Sequence, residues 1–93
     1  MKKQRFTSVW DAIEDSAGEA ESMKLRSSLM IALARHIEAS GLTQAKAAAL
    51  LGVTQPRISD LVRGKIQLFS IEALVDMAAA AGLQVRLRLA KAA

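Results

Sequence analysis

The chain has 93 residues, 52% of them hydrophobic but only 3% aromatic, and a formal net charge of +4. That length makes a single domain, residues 1–93, with a modest core of the kind that gains stability by oligomerising. Without cysteine there is no disulfide framework or thiolate metal site, and one histidine, His36, argues against a zinc centre.

Residues 1–22 read as an N-terminal arm and a short helix. Lys2, Lys3 and Arg5 are followed by no apolar run, so MKKQRFTSVW is not expected to be a signal peptide. No stretch approaches the ~20 apolar residues of a membrane span, and the expected location is cytoplasmic, in association with the nucleoid. Ser8-Val9-Trp10-Asp11 fits a capping box with Asp as the reciprocal residue, which predicts a short helix over residues 8–16. It would turn Val9, Trp10 and Ile13 toward a core. Residues 9–23 carry Asp11, Glu14, Asp15, Glu19 and Glu21, either as an ordinary solvated face or as a surface for a basic partner.

Gly18 marks a break. A longer helix should begin between Ala17 and Met23 and end at Ser40-Gly41, with Leu25, Leu29, Leu33 and Ile37 spaced by four on one face. Met23, Met30 and Met77 read as core filler, and His36 as a partly exposed helix residue.

Thr43 caps a helix running from Gln44 to Leu51, and Gly52 ends it. Thr54 caps another from Gln55 to about Arg63, with Pro56 tolerated in its first turn and Gly64 beyond its end. Ala48 falls where the two helices cross. Leu51, Val53, Ile58 and Leu61 fall where a small core between them needs apolar residues. Two short capped helices joined by a tight turn over residues 43–64 make a helix-turn-helix. Ser70 caps a further helix from Ile71 to about Ala81, with Phe69 and Leu74 as its hydrophobic staple and Ile71, Leu74, Val75 and Ala78 on one face.

After Gly82 the period changes. Val85, Leu87 and Leu89 alternate with Arg86 and Arg88, the pattern of a half-buried strand over residues 84–90. A lone strand leaves its ladder unpaired, so either residues 5–9 or the same segment of a second copy should pair with it. Pairing across a two-fold axis is the simpler solution, with Val85, Leu87 and Leu89 as dimerisation residues.

LTQAKAAALLGVTQPRISDLVRGK resembles the helix-turn-helix of the Cro/C1-type (XRE) family of bacterial and phage regulators. VWDAIED and ESMKLRSSLMIAL before it, and LFSIEALVDMAAAAGLQVRL after it, resemble the branch linked to HigA-type antitoxins of toxin–antitoxin operons. The resemblance implies an all-α, five-helix lambda-repressor-like domain whose dimers bind palindromic operators in double-stranded DNA. With it goes the expected C-terminal strand, paired across the dimer.

On that resemblance Gln55–Arg63 is the recognition helix, and Gln55, Pro56, Arg57, Ser59 and Asp60 are its base-reading residues. Gln suits adenine and Arg suits guanine, each bidentately. Asp60 either accepts from a cytosine amine or pairs with Arg57 or Arg63 to fix their geometry. Thr43, Gln44, Thr54, Arg63 and Lys65 are the expected phosphate contacts, and Lys46 stands between phosphate contact and plain surface. Pro56 replaces a commoner polar residue and removes an amide donor.

The basic body of the chain fits a polyanionic partner. No nucleophile–base pair, glycine-rich phosphate loop or carboxylate dyad stands out, so neither an enzyme nor a cofactor is expected. The expected function is a sequence-specific DNA-binding repressor that is the antitoxin and autoregulator of a toxin–antitoxin operon, its second partner a small basic ribonuclease. A stand-alone repressor and a protein-interaction module are the alternatives.

Overall fold

The computed structural model describes the backbone of residues 9–91 and the side chains of residues 17–91. Its element order is α1 (Val9–Ser40), α2 (Gln44–Leu51), α3 (Gln55–Val62), a single 3-10 turn (Ile66–Leu68) and α4 (Ile71–Ala80).

α1 is one helix of 32 residues rather than the expected two. Gly18 does not break it. A glycine costs a helix only about 1 kcal/mol relative to alanine, and Ala17, Glu19, Ala20 and Glu21 around it are strong helix formers. The expected cap at Ser8 and the core role of Val9, Trp10 and Ile13 lie outside the described residues and side chains. From residue 17 to 24 the helix is exposed except for half-buried Ser22, so Met23, at 48% exposure, is not core filler. The row expected to face inward does so progressively: Leu25 and Leu29 are half-buried, Leu33 and Ile37 buried. Met30 and Met77 are buried too.

The short helices begin at the expected residues. Thr43 Oγ1 accepts from Lys46 N, Thr54 Oγ1 from Arg57 N, and Ser70 Oγ from Ala73 N, each capping a first-turn amide of its helix. α4 packs against α1 and α2, and α3 packs against α1 and α2. The core at their meeting point holds Leu33, Ile58, Leu61, Phe69 and Leu74 at its centre, with Ala47, Ala48 and Leu51 from α2. Phe69 and Leu74, the staple pair, are both buried, whereas Val75 on the expected inner face is exposed.

One element was not expected, and one further expectation is corrected. The 3-10 turn has no sequence signal comparable to the caps. Residues 83–91 adopt no regular secondary structure, so no strand occurs among the described residues. Leu87 and Leu89 are 70% and 90% exposed and Val85 39%. The alternation is real, but a strand needs a second edge to supply its ladder. Of the two partners considered for it, residues 5–8 lie outside the described residues and residue 9 begins α1. Among the described residues, four α-helices and a 3-10 turn therefore stand in place of five helices and a strand.

Candidate nucleic-acid interface

The joint between α2 and α3 is made by three residues with separate tasks. Gly52 takes φ 72°, ψ 31° and closes α2 with its N–H on the Ala48 carbonyl. An L side chain there would cost about 1–2 kcal/mol, which is why the turn uses glycine. Val53 follows, half-buried against the core, with its own N–H also on Ala48 O at 2.9 Å. Thr54 then starts α3. Ala47 and Ala48 are buried on α2, where larger side chains would separate it from its neighbours.

α3 buries Ile58 and Leu61. At about 100° per residue, the direction opposite these two passes through Pro56 and Arg63, with Ser59 and Asp60 on either side and Gln55 at the flank. Gln55, Pro56 and Arg63 are exposed, and Ser59 and Asp60 half-buried. Pro56 lies in the first turn, where its missing N–H breaks no intrahelical bond. Its ring is thus an apolar point at the outward tip of the helix. Thr54 is exposed just ahead of it, and Thr43, Gln44 and Lys46 are exposed at the start of α2. Lys46 N and Ala47 N are bonded to Thr43, while the Gln44 and Ala45 amides open the helix without intrahelical acceptors.

Two expected side chains are placed differently from the sequence reading. Asp60 pairs with neither Arg57 nor Arg63; its Oδ1 lies 3.6 Å from Lys65 Nζ, across the end of α3. Both side chains are partly exposed, so this pair is worth little stability, and its effect is to hold Lys65 beside the helix. Arg57 folds back instead of projecting. Its Nη1 donates to the Leu68 carbonyl at 2.7 Å, and its guanidinium lies 4.0 Å from the centroid of the Phe69 ring.

Arg26 on α1, which the sequence reading passed over, reaches the same turn. Its Nη1 lies 3.5 Å from both the Ile66 and Phe69 carbonyls. Nothing in residue spacing links Arg26 or Arg57 to residues 66–69, which lie about forty and ten positions away. The nearest available sign was Phe69 standing as the staple residue of α4.

Val85, Leu87 and Leu89 are on the segment after α4. Leu87 and Leu89, with Leu25 and Ile71, line a shallow apolar groove. Among the described residues no group of three His, Asp or Glu side chains is arranged to hold a metal ion. Nor is any helix long and apolar enough to cross a membrane.

Comparison with known proteins agrees with this geometry. The profile of a family described as helix-turn-helix domain matches residues 12–90. A solved structure assigned to the XRE family of transcriptional regulators is 35% identical. It superposes with a TM-score of 0.72 over 80% of this chain and 83% of its own. No curated protein matches. With most of the chain matched and the α2–α3 joint built as described, the chain belongs to the helix-turn-helix domain family and is an XRE-type DNA-binding transcriptional regulator.

Proposed function

We propose that this regulator is a dimeric repressor of its own operon, which lays α3 in the major groove of a palindromic operator. The observation that carries the reading is the outward face of α3. Gln55, Pro56, Ser59, Asp60 and Arg63 share it, while Ile58 and Leu61 hold the helix from behind. Gln55 is the adenine reader, and Pro56 supplies apolar contact of the kind thymine methyl groups accept. Thr43, Gln44 and Thr54 hold phosphates from the starts of α2 and α3, and Arg63 and Lys65 from beyond the end of α3.

Two copies are required, because a palindrome is read by a two-fold dimer with half-sites one helical turn apart. Segment 84–90 is the proposed dimer contact. Its apolar side chains alternate and are exposed, and a strand can pair antiparallel with itself across a two-fold axis.

The antitoxin role is a further part of the proposal. It rests on the resemblance of the flanking segments and on the acidic N-terminal part of α1, whose described acids Glu19 and Glu21 are exposed. That surface complements a small basic ribonuclease.

Footprinting on the DNA upstream of the chain's own gene tests the reading. Two protected half-sites about one helical turn apart support it; no protection at all leaves a protein-interaction module. Co-purification decides the partner: a small basic protein encoded next door supports the antitoxin role, and its absence leaves a stand-alone repressor.

A further inference from the structure

Arg57 carries more contacts than any other charged side chain on α3, and all of them point away from the proposed groove face. Leu68 O and Phe69 O receive no main-chain N–H among the described residues. Both are met by arginine instead. The bond from Arg57 is short, at 2.7 Å, whereas the two from Arg26 are long, at 3.5 Å, so Arg57 is the stronger anchor. The same guanidinium covers the Phe69 ring, which is only 1% exposed and belongs to the central core. A base-reading arginine would have to leave a hydrogen bond and a ring together.

We infer that Arg57 is a positioning residue: it ties α3 to the 66–69 turn and the start of α4, and so fixes the seat of Lys65 relative to the reading face. Lys65 sits between the two anchored pieces. Its N–H is on Asp60 O at 3.1 Å, its Nζ is beside the Asp60 carboxylate, and its carbonyl accepts from Leu68 N at 3.1 Å. Releasing the turn therefore moves a phosphate contact and the orientation of α3 at once. Specificity comes from the outward residues of α3, and Arg57 keeps them at the correct height. The DNA half of this inference rests on the proposed groove reading; the tether itself does not.

The experiment has two arms. In the first, the Arg57 side-chain protons of the full-length protein are observed by NMR without DNA and with a duplex from its own upstream region. Upfield ring-current shifts that vanish in Phe69→Leu are expected, and they should persist in the complex. Unshifted protons in the free protein would overturn the tether, and this arm reads whether or not DNA binds. In the second arm, Arg57→Ala and Arg57→Lys are titrated against that duplex and against variants with one base pair changed. Arg57→Ala should weaken every member by a similar factor, on the order of tenfold, leaving the preference profile unchanged, and Arg57→Lys should recover part of the loss. A profile flattened at one base pair, with ring shifts lost in the complex, would make Arg57 a base reader and overturn the inference.

Discussion

The Arg57 guanidinium lies 4.0 Å from the Phe69 ring centroid while its Nη1 donates to Leu68 O at 2.7 Å. One side chain thus joins the middle of the helix-turn-helix to the residue that staples α4. Truncating it to alanine removes a cation–π contact and a charge-assisted hydrogen bond, together about 1–3 kcal/mol. Phe69→Ala removes a ring from the core as well and should cost about 3–5 kcal/mol. Urea unfolding measures both. Because the residues touch, the double substitution should cost less than the sum of the two.

Two glycines should respond in opposite directions. Gly18 is inside α1 with open space where a Cβ would stand, so Gly18→Ala should stabilise by about 0.5–1 kcal/mol. Gly52 also has open space but takes φ 72°, so Gly52→Ala should destabilise by about 1–2 kcal/mol. Thermal unfolding of the two variants side by side separates backbone strain from crowding.

Those glycines also mark how far the sequence could be read. The α2–α3 unit was legible because caps, glycine and apolar positions each constrain the backbone locally, and all agreed. Gly18 carried no such agreement: a glycine alone says nothing about whether the helix formers beside it outweigh its cost. The strand at 84–90 was legible as a pattern but not as a structure, since its ladder requires an edge that the described chain does not supply. The contacts of Arg26 and Arg57 arise from tertiary approach, so spacing along the chain could not reveal them. For Asp60 the sequence offered arginine partners, while the turn at Gly64, at φ 73°, brings Lys65 back over the helix end.

Lys65→Ala should weaken binding to specific and random duplexes alike. If Lys65 meets one phosphate, the slope of log K against log salt should become shallower by about 0.9. Asp60→Asn removes the competing carboxylate at 3.6 Å and should strengthen binding to random DNA. Salt titrations by fluorescence anisotropy check both.

Pro56 stands at the outward tip of α3 and has no side-chain donor or acceptor to offer a base. Its contribution should be apolar contact with a thymine methyl. Replacing thymine by uracil at one half-site position should then weaken the wild type by about 1 kcal/mol or less, and should leave Pro56→Gly unaffected. An equal uracil effect in both proteins would assign that methyl to another side chain.

Sequence-specific binding through α3 is the central claim. Its most direct test is a titration of the full-length protein, and of Gln55→Ala, with its own upstream DNA and with a random duplex of equal length. At physiological salt the wild type should prefer its own DNA by about a thousandfold or more, with both affinities falling as salt rises, and Gln55→Ala should lose much of that preference. Equal wild-type affinity for the two duplexes across the salt series would contradict the account.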